Sequence, residues 1–337
     1  MLFRSLRFLS LATAIAMAAA SYAIRSGASA PVVLALIQVY CLCSSPTWSI
    51  TSTIIFARLE DARKEFGPIR AMATLGWVSG CLTVSFLGAD RSTLSGFGGS
   101  LVWLLVVAGT FFLPALKAPA SAENLTWRER LGLDALSLLR IRDHRGVYLM
   151  TSLFMIPLAG FYPYTPLHLR SLGLEHASAW MSLGQITEVI VMFALGGLLL
   201  RWRLKWIFTA GLALGVVRFA LSALDTRAGL ITGIVLHGAS FTLVLITAQI
   251  YVDQRVDPAW RGRAQALLSL VNGGFGNMLG YLGTGGWFAF CSAGGATRWP
   301  AFWSGLSVAM GAVLVFFLLS YRGRSTGLSP APASPPA

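Results

Sequence analysis

The sequence predicts an all-α polytopic membrane protein with ten transmembrane helices. Two observations carry that prediction. Ten apolar segments run through the 337 residues, at about 8–24, 31–57, 71–89, 101–116, 147–167, 179–200, 206–224, 229–252, 264–290 and 300–320. Each approaches the ~20 residues that a helix needs to cross ~30 Å of hydrocarbon. The Lys and Arg residues alternate across them, numbering 2, 1, 4, 1, 6, 1, 3, 1, 3, 1 and 2 in successive connections. The richer set holds 20 cations and the poorer set 5, with Arg218 alone inside a segment. Loops that keep their cations stay in the cytoplasm, so both termini are expected inside.

Composition points the same way. Hydrophobic residues make up 55% of the chain and charged residues 12%, against about 25% charge in a soluble domain. Mean hydropathy is +0.69. The net charge of +13 is spread over five short loops and a tail, and it forms no single basic face. It is read as a set of topology determinants beside anionic lipid, not as a nucleic-acid surface. Cys41, Cys43, Cys81 and Cys291 lie in or at the ends of apolar segments, without a C-x-x-C, and read as small buried hydrophobes. No metal site or cofactor is expected.

Two readings of the N-terminus stand side by side. A short basic start, an apolar run and the small-x-small Ser21-Tyr22-Ala23 resemble a signal peptide. The same residues serve as a first transmembrane helix. Further on, the longest polar stretch divides the chain into an N-terminal bundle of four helices at 1–116, a cytoplasmic linker at 117–146 and a C-terminal bundle of six helices at 147–320. A weakly amphipathic piece of the linker, Trp127 to Leu139, is expected on the membrane surface. Asp143-His144, flanked by Arg142 and Arg145, is expected to be solvated. The tail 321–337, rich in Pro, Ser and Ala, is expected to be disordered.

Of the thirteen acidic residues, only Glu188 falls mid-segment. An ionisable group there is costly unless it meets a partner or a water-filled cavity. It reads either as a proton-coupling acid or as a helix–helix hydrogen bond. Gln185, at i−3, shares its face and adds an amide suited to a polar solute. Arg218 is placed either to snorkel outward or to pair with Glu188. Arg70 opens segment 71–89, with Thr74 and Trp77 on the same face at i+4 and i+7. That cation, hydroxyl and ring suit a flat polar ligand, although an interfacial anchor and a packing ring account for Arg70 and Trp77 equally.

Segment 229–252 carries His237, Phe241, Thr242 and Gln249 and is expected to face the bundle interior. Segment 264–290 holds seven glycines between Gly273 and Gly286, with Asn272 and Asn277 available to hydrogen-bond. Small residues allow close helix approach. The G-x-x-x-G at 276–280 is a weak signal, and the spacing at 286–290 fails because residue 290 is Phe. Pro157, Pro163 and Pro166 are expected to bend or break segment 147–167. Interrupted helices are where transporters place their sites. No metalloprotease, P-loop or nucleophile-elbow motif occurs, so the chain reads as a carrier driven by a gradient and not as an enzyme.

Several stretches resemble a known family. Phe56-Ala57-Arg58-Leu59, Asp61, Phe66-Gly67-Pro68-Ile69-Arg70 and Thr74-Leu75-Gly76-Trp77 are similar to the fourth and fifth helices of the nucleoside–proton symporters of the major facilitator superfamily. Trp180 to Glu188 resembles that family's eighth helix and Val217 to Leu221 its ninth. Leu236-His237-Gly238, Gln249 to Asp253, Arg261 and Ala264-Gln265 resemble its tenth and eleventh.

The resemblance implies a major-facilitator-type helical bundle that rocks around a central cavity. It further implies that Arg70, Thr74, Trp77, Gln185, Glu188 and Phe241 line a nucleoside path. His237 joins them as a solute-binding residue, and Arg218 joins Glu188 in proton coupling. The family's polar residues on its seventh helix fall at Pro157 and Gly160. A tyrosine becomes His237, an aspartate becomes Thr242 and an asparagine becomes Ser52. A related aromatic-carboxylate branch shares the positions of Glu188 and Arg218 and is the alternative reading. The first segment here aligns with the family's third, so the expected arrangement is 4+6 helices. A start codon placed too late, or a truncated chain that does not transport, accounts for the difference. The expected partners are a small solute, H⁺ and the lipid bilayer. A monomer suffices, and nothing in the sequence fixes the oligomeric state.

Overall fold

The computed structural model describes residues 2–56, 58–60, 62–112, 133–257 and 260–323. Every regular element among them is helical. Backbone in hydrocarbon must satisfy its own hydrogen bonds, and an open sheet edge would fail to do so. Among the described residues, eight helical runs are long and apolar enough to cross a membrane: Arg4–Arg25, Ala30–Ser52, Glu65–Phe86, Arg142–Ser171, Ala177–Arg201, Leu204–Ser222, Arg227–Arg255 and Trp299–Ser320. They account for eight of the ten expected segments. Segment 101–116 appears as the shorter helix Leu94–Gly109, and residues 113–116 lie outside the described ones. Segment 264–290 is helical from Arg261 to Ser292, but its asparagines and glycines lower its hydropathy.

By contact the chain forms two compact units. The first comprises Met1–Arg58 and Thr83–Leu133. Within it α1 (Leu2–Arg25) packs against both α2 (Ala30–Phe56) and α4 (Leu94–Gly109). Its buried face is made of small residues, Ser10, Thr13, Ala14, Ala20 and Ser21 among them, which lets the helix axes come close. Ser100 donates to the Ala14 carbonyl at 2.8 Å, and Arg7 Nε donates to Thr110 Oγ1 at 3.1 Å.

The second unit comprises Leu59–Leu82 and Asp134–Ala337. It includes most of α3 (Ala62–Phe86), which the division at 117–146 had grouped with the first bundle. Its other helices are α5 (Arg142–Ala159), α6 (Phe161–Ser171), α7 (Ala177–Arg201), α8 (Leu204–Ser222), α9 (Arg227–Phe241), α10 (Thr247–Arg255), α11 (Arg261–Ser269), α12 (Asn277–Ser292) and α13 (Trp299–Ser320). The expected break occurs at Gly160, between α5 and α6. Two π-helical stretches, Thr242–Ile246 and Leu270–Gly276, join α9 to α10 and α11 to α12. Each π turn takes in one extra residue, and such turns collect at functional sites.

Glycine sets the closest crossings. A Cβ at Gly280 would stand 2.9 Å from the Ile156 carbonyl oxygen, and one at Gly276 would stand 2.7 Å from that of Ser152. The G-x-x-x-G at 276–280 is therefore a true contact face against α5. Asn272, in contrast, leaves its buried Oδ1 without a hydrogen bond among the described residues, so the expected cross-helix bond is not made by that atom. Aromatic rings fill the end of the unit near α6 and α13. Trp303 Nε1 donates to His168 Nδ1 at 2.9 Å, His168 Nε2 donates to Asp225 at 2.7 Å, and Trp299 stacks on the imidazole at 4.5 Å.

Three expectations are corrected. Asp143 and His144 are not solvated: both are buried in the first turn of α5. His144 Nδ1 meets Tyr251 Oη at 2.8 Å, and Asp143 accepts from the Arg322 amide at 3.2 Å. Tyr321 packs beside them, its hydroxyl pushed up to about 12 by burial and by the nearby Asp143 carboxylate. Arg70 does not open its helix. It lies two turns inside α3, because Pro68 is carried within the helix and does not end it. Of the four cysteines only Cys291 is buried; Cys41 is exposed, and Cys43 and Cys81 are partly exposed. Residues 113–132 and 324–337, which hold the first six residues of the expected surface-lying piece and most of the expected tail, fall outside the described residues. From Leu133 to Arg140 the chain is a 3₁₀ helix with Ala135 and Leu138 buried.

Candidate functional site

The site forms where α7 and α9 cross. A Cβ on Gly184 would stand 2.7 Å from the Ile234 carbonyl oxygen. A Cβ on Gly238 would overlap the Gly184 carbonyl oxygen and the Glu188 amide nitrogen. Only glycine on both helices allows this approach, and it fixes the backbone from which Glu188 projects.

Glu188 is 3% exposed. Thr74 Oγ1 of α3 donates to its Oε1 at 2.9 Å. Thr242 Oγ1 donates to its backbone carbonyl at 3.4 Å. Arg70, one turn before Thr74, acts electrostatically on the carboxyl group. Gln185 is buried on the same face of α7. The predicted Arg70, Thr74, Gln185 and Glu188 thus come together.

A second cluster adjoins them. Arg218 is 1% exposed, and its Nη1 stands 2.6 Å from His237 Nδ1. A guanidinium can only donate, so Nδ1 accepts and the imidazole proton sits on Nε2. That nitrogen faces Tyr162 Oη at 3.3 Å. The guanidinium lies over the rings of Phe161 at 4.6 Å and Phe219 at 4.1 Å, and His237 stacks on Phe161 at 4.2 Å. Arg218 neither snorkels nor meets Glu188: its partner is a neutral imidazole. Its Nε and Nη2 are buried without hydrogen-bond partners among the described residues.

Phe241, partly buried, tilts against His237 at 5.8 Å. Trp77, three residues after Thr74 on α3, has 59% of its surface exposed. Tyr162 was missed by sequence reasoning. Its hydroxyl stands 3.3 Å from His237 Nε2 in the second cluster. Its only sequence signal was a place beside the Gly160 break. The Gly184–Gly238 pair was missed because the two glycines lie 54 positions apart, on different helices.

An acid, a cation, an imidazole, an amide and a ring thus gather within one helical bundle. The comparisons name its kind. The family described as nucleoside H⁺ symporter matches residues 2–326, and the chain belongs to that family. It is 34% identical over 313 residues to the putative nucleoside transporter YegT of Escherichia coli (strain K12), covering 85% of this chain and 72% of that protein. Against the nucleoside permease NupG of the same organism the identity is 26% over 277 residues, 77% of this chain and 66% of that one. Against its xanthosine permease the identity is 23% over 300 residues, 82% and 71%. A crystal structure of the nucleoside transporter NupG, in a point-mutant form, superposes with a TM-score of 0.80 at 23% identity, covering 96% of this chain and 84% of that chain. A second NupG structure gives 0.74, covering 94% and 83%. The chain therefore shares the NupG fold, and its relatives are permeases and transporters, not enzymes.

Proposed function

We propose that this chain moves a nucleoside together with a proton across the cell inner membrane. The reading rests chiefly on one observation. The only acid in the middle of a transmembrane segment is buried, held by a threonine hydroxyl and set beside a cation on α3. In this scheme Glu188 takes up the proton and Arg218 tunes it through His237 and Tyr162. Gln185, Arg70, Thr74 and His237 hydrogen-bond the solute, and Phe241 and Trp77 stack on its base. Family membership and the shared fold support the scheme. Ten spans, grouped four and six about the polar stretch 117–146, with both termini in the cytoplasm, complete it. The unbroken alternation of cations supports that orientation.

The test is uptake of labelled uridine into energised vesicles. Glu188→Gln is expected to abolish proton-driven accumulation while leaving exchange of preloaded uridine. Full accumulation by the variant would remove the proposed role. A second reading, transport of an aromatic carboxylate, is favoured by the two unpartnered Arg218 donors between phenyl rings. Competition by phenylpropionate but not by uridine would establish it in place of the first.

A further inference from the structure

The turn between α7 and α8 carries a groove whose lining shares no residue with the Glu188 and Arg218 clusters. Its cavity is about 600 Å³, lined by Arg201, Trp202, Arg203, Trp206, Thr209, Ala210 and Ala213. Arg201 ends α7, and Arg203 immediately precedes α8. Trp202 and Trp206 are both largely exposed.

Three features separate this place from an ordinary charged loop. The first is that its cations are unengaged: among the described residues, neither Arg201 nor Arg203 makes a hydrogen bond or ion pair through its side chain. Some other basic ends, in contrast, are occupied. Arg142 donates to the Ser320 carbonyl at 3.3 Å, and Arg261 pairs with Asp253 at 3.5 Å. The second is the pair of indoles beside the guanidinium groups. Tryptophan settles at the level of lipid headgroups, where its ring is half apolar and its N–H is wet. The third is the shape of the floor. Trp206, Ala210 and Ala213 follow one face of α8 away from the cations, for about 10 Å at 1.5 Å per residue. The small alanines leave a shallow channel running along α8 away from the cations.

We propose that this groove binds an anionic phospholipid of the surrounding bilayer. Its phosphate is held by Arg201 and Arg203, its glycerol lies against Trp202 and Trp206, and one acyl chain runs over Ala210 and Ala213. Basic pockets at the cytoplasmic ends of transmembrane helices suit such headgroups. The proposal stands independently of the solute carried.

The test uses the full chain, purified and placed in phosphatidylcholine nanodiscs, with phosphatidylglycerol titrated in. Bound lipid is counted by native mass spectrometry, and the thermal midpoint is followed in parallel. The wild-type chain is expected to retain one tightly held phosphatidylglycerol and to gain stability as it binds. Arg201→Gln with Arg203→Gln removes the charge. Ala210→Leu with Ala213→Leu fills the channel and leaves the charge. Either pair is expected to lose that lipid and to raise the half-saturating phosphatidylglycerol fraction at least tenfold. Retention of the lipid by both pairs would overturn the proposal. Equal stabilisation by inorganic phosphate would reassign the groove to a free anion, and equal retention of phosphatidylcholine would make it an apolar cleft. Either result also overturns the proposal.

Discussion

Gly238→Ala is the sharpest probe of how the site is held. Alanine normally improves a helix interior by about 0.5–1 kcal/mol over glycine. At Gly238 the added carbon would overlap the Gly184 carbonyl oxygen and the Glu188 amide nitrogen, and would stand 2.9 Å from Glu188 Cα. All three are backbone atoms of α7, so no side-chain rotation relieves the clash. The helices must separate by roughly 1 Å to restore ordinary contact. That loosens the Ile234–Gly184 approach and the Thr242 bond to the Glu188 carbonyl. Overpacking of this kind costs about 1–3 kcal/mol, which outweighs the gain in helix propensity. A control is built into the chain: nothing lies within 4 Å of a Cβ at Gly76. Gly76→Ala should hold or raise the thermal midpoint of the purified protein. Gly238→Ala should lower it by about 1–4 °C. Gly184→Ala should lower it too, and the double variant should lose less than the sum, because one separation serves both residues. If Gly238→Ala and Gly76→Ala melt alike, the crossing is not as close as described, and the account of how Glu188 is positioned fails.

Three further outcomes are expected. Thr74→Val keeps the shape but removes the donor to Glu188, and should cut the initial rate of proton-driven uptake about tenfold, whereas Thr74→Ser should restore most of it. His237→Phe keeps the stack on Phe161 but leaves Arg218 Nη1 without an acceptor; a loss of about 1–3 kcal/mol should appear as a lower melting midpoint, with partial recovery in His237→Asn. Trp303→Phe deprives His168 Nδ1 of its donor and should destabilise the protein by about 1 kcal/mol with uptake by surviving protein unchanged, read by thermal denaturation alongside uptake normalised to folded protein.

Much of the fold was legible because the bilayer restricts the choices. Apolar length predicted helices in the right places, and Pro157, Pro163 and Pro166 announced an interrupted helix, which breaks at Gly160. The site was legible in part. Glu188 stood out as an acid where acids are costly, and Gln185 followed from helical spacing. Arg218 was misread in both of its alternatives, because a sequence shows a buried cation but not that a histidine on the next helix will receive it. Asp143 and His144 looked like loop residues because charged neighbours flank them, yet their polar atoms are satisfied by Tyr251 and Arg322 from remote parts of the chain. Trp77 shares a spacing with Thr74, but the two are buried very differently, since periodicity places a residue on a helix face without saying what that face meets.

The π stretch Thr242–Ile246 has a consequence for the half of the bundle beyond it. One residue corresponds to about 100° of helical rotation. Because the π turn has taken in one extra residue, removing a single residue such as Leu243 would let the run wind regularly and leave everything downstream facing as before. Tyr251 would stay beside His144, and Gln249, whose carbonyl accepts from Gln265, would keep its neighbour. The same removal in the regular turns of α9 would swing both away by that angle. The wide turn thus works as slack in the helix: a shortening by one position should do less damage there than anywhere else along the run.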